Sequence, residues 1–119
     1  MSPLECVFES VRDRMDCDYA DFERVFRAFE IVPIQYRGDT VGAVLRRGPE
    51  VHIAIQPASH GKVWLRPILV REMRETIRQH GRAVTSVANE HQIGHRLARM
   101  LGFKITSVDH LMTHYERMP

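Results

Sequence analysis

Residues 56–62 read Gln56-Pro57-Ala58-Ser59-His60-Gly61-Lys62, small side chains flanked by groups that can carry positive charge. Small residues let main-chain N–H groups approach an anion, and a helix that follows adds the positive end of its dipole. Ser59 and Gly61 meet the first need, and His60 and Lys62 can add charge. The chemistry on offer is phosphate binding. The competing reading is a plain turn between a strand and a helix, because many such turns contain Gly and Ser.

Three other clusters carry chemistry-bearing residues. His91 and His95 are four apart, as are His110 and His114. Either pair is spaced to ligate zinc, but neither has the Cys or carboxylate pattern of a structural site, so no metal is expected. Arg71, Arg74, Arg78 and Arg82 recur at helical offsets, with Glu72 and Glu75 between them. That reads as a salt-bridged solvent face, whereas a nucleic-acid groove wants fewer acids. The net charge of +2 gives nucleic acid no further support. Cys6 and Cys17 are the two cysteines, and free buried thiols in a reducing compartment are expected of them.

The elements that position these residues follow from periodicity. Ser2-Pro3-Leu4-Glu5 has the form of a capping box, followed by Leu4, Val7, Phe8, Val11 and Met15 at helical spacing. A second amphipathic helix carries Phe22, Val25, Phe26 and Phe29. Three strands follow. The first, with Ile31, Val32, Ile34 and Tyr36, contains Pro33 and is expected either to lie at a sheet edge or to start late. The others alternate through Val41, Ala43, Leu45 and through Val51, Ile53, Ile55, with turns at Arg37-Gly38-Asp39 and Arg47-Gly48-Pro49. A helix from about Val63 to His80 presents Ile68, Leu69, Met73 and Ile77 and stops at Gly81. Residues 83–88 read as a buried strand. Residues 90–101 read as a helix with Ile93, Leu97, Met100 and Leu101 inward. Two strands close the chain around a turn near Asp109. The order is ααβββαβαββ.

A chain of 119 residues suits one domain, here 1–119. The hydrophobic fraction of 44% and charged fraction of 27% are those of a globular protein. No apolar run approaches the roughly 20 residues of a membrane span, and the N-terminus lacks signal-peptide character, so a cytoplasmic location and no membrane partner are expected.

The loop and the later segment Leu101-Gly102-Phe103 together resemble the GNAT superfamily of acyl-CoA-dependent N-acyltransferases. That family carries Arg/Gln-x-x-Gly-x-Gly/Ala after a strand; Gln56, Ser59 and Gly61 fall on its three positions, with Ser replacing the first Gly. A helix closing in an apolar residue, Gly and Phe is also a family feature. The resemblance covers about Val32 to the C-terminus and implies an α/β (α+β) fold. Its mixed sheet would have two N-terminal helices followed by βββαβαββ. The chain departs from the family in opening with a helix instead of a strand, and in carrying Pro67 near the start of the phosphate-side helix. Ala98 stands where a proton-donating Tyr is common, and His91 where Asn is usual.

The resemblance implies that acetyl-CoA is a substrate, held at Gln56, Ala58, Ser59, His60, Gly61 and Lys62, with an amine the sequence does not identify as acceptor. Acyl transfer to an amine needs a base, a polarised carbonyl and a proton for the thiolate. Glu50 and His52, two apart on the strand entering the loop, are the candidate bases, and Tyr115 is the candidate acid. The bland readings stand beside these: a solvated turn residue, a polar strand residue and a partly buried strand tyrosine. The alternative function is a GNAT-fold protein without catalysis, such as occurs among phage proteins. It would act in assembly, with itself or with phage structural proteins, in the host cytoplasm or the virion.

Overall fold

The computed structural model describes residues 3–11 and 18–119, apart from the side chains of Pro3, Cys6, Ser10 and Val11. The capping role of Ser2, the place of Met15 and the thiol readings of Cys6 and Cys17 lie outside what is described. The helices are α1 (Pro3–Val11), α2 (Tyr19–Phe26), α3 (Leu65–His80) and α4 (Gln92–Met100). The strands are β1 (Glu30–Tyr36), β2 (Asp39–Arg47), β3 (Glu50–Ile55), β4 (Ala83–Ala88), β5 (Lys104–Val108) and β6 (Met112–Arg117). The strands form a six-stranded mixed sheet in the order β1-β2-β3-β4-β6-β5, matching the element order expected from periodicity and the α/β class that the resemblance implies. No helix among the described residues is long and apolar enough to cross a membrane. The chain divides into two compact units, one of residues 1–47 and 52–66, the other of residues 48–51 and 67–119.

In the first unit, Asp18 caps α2. Its backbone is extended and its carboxylate accepts the N–H of Asp21 at 2.9 Å, satisfying an otherwise orphaned donor. Helical spacing then lines up Phe22, Phe26 and Phe29, with Phe8 of α1 against Phe22; successive ring centroids are 5.2, 4.7 and 5.3 Å apart. These rings join Leu4, Val7, Ala43, Leu45 and Ala54 in one core. The β1–β2 hairpin turns through Arg37 and Gly38, whose φ angles of 53° and 86° are both positive, as the tight turn joining Tyr36 to Asp39 demands. β1 lies at the sheet edge, where Pro33 is tolerated. The sequence suggests alternation along β2, yet Ala43, Val44 and Leu45 are all buried. Both faces of this strand are covered, and alternation disappears under those conditions. Gly42 is obligatory: a Cβ there would lie 2.4 Å from the carbonyl oxygen of Ala54.

In the second unit, β3 and β4 run parallel and register at Glu50 and Val84, where the N–H of Val84 donates to the carbonyl of Pro49 at 2.8 Å. β4 pairs antiparallel with β6, and β6 with β5. α3 buries Leu69, Met73 and Thr76. Its arginine stripe is laced to neighbouring acids: Arg78 forks onto Glu75 at 3.0 and 2.5 Å, and Arg71 reaches Glu72 at 4.0 Å. α4 ends in a paired cap, with Phe103 N–H donating to Ala98 and Gly102 N–H to Arg99, both at 3.0 Å. Gly102, at φ 86°, supplies the left-handed residue this cap requires. The inward face of α4 differs from the expected one. Ile93 and Met100 are exposed, while His95 and Ala98 are buried; Leu101 is buried as expected. The cause is close approach: a Cβ on Gly94 would lie 2.7 Å from Val87 of β4, so the helix lays its small residues on the sheet.

Candidate functional site

The loop after β3 is built from overlapping tight turns. Gln56 closes the β2–β3 hairpin by donating its N–H to Val41 at 2.9 Å. Ser59 N–H then donates to Gln56, His60 N–H to Pro57 and Lys62 N–H to Ser59, at 2.9, 3.1 and 3.4 Å. The residues Pro57–Ser59 make one turn of 3₁₀ helix. The resemblance implies main-chain amides open to an anion through Lys62, and here the structure narrows the set. The N–H groups of Ser59, His60 and Lys62 are committed within the loop. Among the described residues, nothing takes the N–H of Ala58 or Gly61. Ala58 and Gly61 are exposed, as is Lys62, whereas Ser59 is buried. Gly61 sits at φ 74° with open space where a Cβ would be, so the backbone is bare on that side. His60 folds back over the loop, donating Nε2–H to the carbonyl of Ile55 at 2.9 Å; a carbonyl only accepts, which fixes that ring proton.

The loop leads directly into α3, whose Leu65 N–H donates to Lys62 at 3.1 Å. Pro67 does not displace this start. It lies in the first turn of α3, where a missing N–H is not needed for the helix ladder. Trp64 stacks on Tyr36 with ring centroids 4.0 Å apart and planes 1° from parallel, and the Arg37 guanidinium lies 5.1 Å from the Tyr36 ring. This stack pins the far end of the loop to β1. Tyr36 and Trp64 are too distant in sequence for local periodicity to reveal the stack.

His52, on the strand feeding the loop, is half-buried with its ring edge-on to Phe29 at 5.7 Å. Glu50 and Tyr115 fall in the other compact unit. Glu50 is half-buried at the β3–β4 register point. Tyr115 is more deeply buried than the sequence suggested, at 2% exposure. Its hydroxyl lies 2.7 Å from Nδ1 of His95. Nε2 of His95 faces the carbonyls of Ala88 and Asn89, both at 3.1 Å. Those carbonyls only accept, so Nε2 carries the proton, Nδ1 is the acceptor and Tyr115 is the donor. The tyrosine proton is therefore directed into the protein. The spacing of His95 from His91 points only to zinc, and nothing local in the sequence signals its bond to Tyr115. Among the described residues no group of three or more His, Cys, Asp or Glu is placed to hold a metal ion.

No family model and no curated protein matches the sequence. Solved structures do match the fold. A spermidine N-acetyltransferase variant from Vibrio cholerae superposes with a TM-score of 0.74 at 15% identity, covering 97% of this chain and 87% of its own. A Bacillus subtilis acetyltransferase in complex with CoA gives 0.75 at 11% identity, covering 98% and 91%. A GNAT family acetyltransferase from Elizabethkingia anophelis with acetyl-CoA bound gives 0.70 at 11% identity, covering 100% and 92%. The six-stranded sheet and the order of its helices are those of a known architecture: the chain has the fold of the GNAT acetyltransferases.

Proposed function

We propose that the chain is an acyl-CoA-dependent N-acetyltransferase, with acetyl-CoA as acyl donor and a small amine or peptide amine as acceptor. The observation that carries this reading is that the N–H groups of Ala58 and Gly61, both exposed residues, have no acceptor among the described residues, beside Lys62 and ahead of α3. Two amides, a lysine and a helix start suit a diphosphate. Gln56 shapes the entry by closing the hairpin. Ser59 holds the turn by accepting from Lys62, and His60 braces it through Ile55. Neighbours of the same fold solved with CoA or acetyl-CoA support the choice of donor.

In this reading Glu50 or His52 takes a proton from the acceptor ammonium, so that the free amine attacks the thioester carbonyl and the thiolate leaves with a proton. Tyr115 serves to hold His95 and α4 in place, since its proton is directed to Nδ1 of His95. The test is a thermal shift. Millimolar acetyl-CoA raises the melting temperature of the parent protein, and Gly61→Glu abolishes the rise by setting charge against the phosphates. Gly61→Ala, which shares the backbone strain without the charge, keeps most of it. No shift in the parent protein overturns the reading.

A second reading has its own support: a GNAT-fold protein without catalysis, used in assembly with itself or with phage structural proteins. The committed N–H groups of Ser59, His60 and Lys62, and the buried Ala98 where the resemblance places an acid, favour it. It predicts self-association and no turnover.

A further inference from the structure

The face of β6 opposite Tyr115 carries a second constellation. Ser86 of β4 and His114 of β6 are register partners, so their side chains stand together on one sheet face. Ser86 Oγ lies 2.8 Å from Nδ1 of His114. Nε2 of the same ring lies 3.0 Å from Oδ2 of Asp109. Asp109 is itself held firmly. Its Oδ1 accepts the N–H groups of Leu111 and Met112 at 2.9 and 2.7 Å, and its own N–H donates to Met112 at 2.9 Å. The Asn89 side-chain amide donates to its carbonyl at 2.8 Å, and Asn89 in turn accepts the Thr113 hydroxyl at 2.7 Å.

The His114 bond, with those from the Leu111 and Met112 amides, lowers the Asp109 carboxyl to about 2. It is therefore ionised at neutral pH and can only accept. In the neutral imidazole the proton must then sit on Nε2, leaving the lone pair of Nδ1 facing the Ser86 hydroxyl. A purely structural turn at Asp109 would need the aspartate and the backbone amides. It would not need a serine hydroxyl set against the bare nitrogen of the ring the aspartate orients.

We propose that Ser86, His114 and Asp109 form a nucleophile, base and positioning residue that take an acyl group from activated short-chain esters or thioesters. Ser86 Oγ attacks the acyl carbon while its proton moves to Nδ1 of His114. The bond from the acyl carbon to the leaving oxygen or sulfur breaks, and that proton passes to the leaving group. Water then attacks the acyl-serine ester, Nδ1 takes a proton from it, and the proton returns to Ser86 Oγ as the free acid departs. The half-buried Ser86 and the part-exposed side chains of His114 (38%) and Asp109 (51%) can be reached from solvent. No residue is shared with the loop or with Glu50, His52 and Tyr115, so this site stands or falls apart from the transferase reading.

The experiment treats the full-length protein with a fluorophosphonate probe and maps the adduct by mass spectrometry. The adduct is expected on Ser86, absent in Ser86→Ala, and formed about 100-fold more slowly in His114→Gln, the scale of general-base assistance. Nitrogen-15 NMR of the parent protein, which needs no variant, should show His114 protonated on Nε2. In Asp109→Asn, where the side-chain amide can donate to the ring, the proton should move to Nδ1 and labelling should fall with it. No adduct on Ser86, an unchanged rate in folded His114→Gln, or a parent ring protonated on Nδ1 would each overturn the proposal.

Discussion

The hydroxyl of Tyr115 donates to Nδ1 of His95 across 2.7 Å, and both residues are buried, joining the last sheet hairpin to α4. Tyr115→Phe keeps the ring and removes the donor, leaving a buried acceptor unsatisfied. The expected loss is about 1–3 kcal/mol, read from the urea midpoint. A variant as stable as the parent protein would show that the pair contributes nothing. If the proposed acetyl transfer holds, its rate per folded molecule should survive the change, and its abolition would make Tyr115 the acid.

Gly42→Ala should be among the costliest single-methyl additions in the chain. The new carbon would meet the Ala54 carbonyl at 2.4 Å and the Ile55 Cα at 3.1 Å, both backbone. Overpacking of this kind costs about 3 kcal/mol. Gly38→Ala is the control: at φ 86° with nothing near, it carries only left-handed strain of about 1 kcal/mol. Equal losses in the two variants would refute the steric account.

Acid stability should depend on Asp109. Its carboxyl ionises at about 2 in the folded chain against an ordinary 3.8. The unfolded chain therefore binds more protons across this window, and stability rises with pH there. The contribution is present above about pH 4 and is lost as pH falls toward 2. Asp109→Asn should flatten that part of a urea-midpoint profile; an unchanged profile would assign the acid sensitivity elsewhere.

Trp64 is the only tryptophan, and it closes the proposed cofactor loop by stacking on Tyr36. Its emission should shift when acetyl-CoA is added, with the same midpoint as the thermal shift. A melting-temperature rise with silent emission would move the ligand away from this loop. Tyr36→Ala should cost about 1 kcal/mol beyond its lost area by removing the stack, and should blunt the emission response.

Element order was readable because each period is local. Ala83–Ala88, the Gly81 and Gly102 stops and the edge position of β1 all follow from residues within a few positions of one another. What escaped was set by distant partners. The inward turn of His95 depends on the close approach of Gly94 to Val87 and on a tyrosine on β6. The Trp64–Tyr36 stack and the Ser86–His114–Asp109 chain depend on strand register, which periodicity does not encode. The loop was legible in its small residues but not in its hydrogen bonds. A sequence does not say which amides a turn will consume.

The two borders of the sheet are unequal. Pro33 deprives β1 of a donor, and the register shift between Ile34 and Gln35 bends that border further out of line. β5 shifts register too, between Ile105 and Ser107, but it is exposed along its whole length, with Ile105 and Val108 in the open and no proline to remove a donor. An intruding strand, from another copy or from a misfolded chain, finds the fuller row of backbone donors on β5. A solubilising charge would therefore be best spent there.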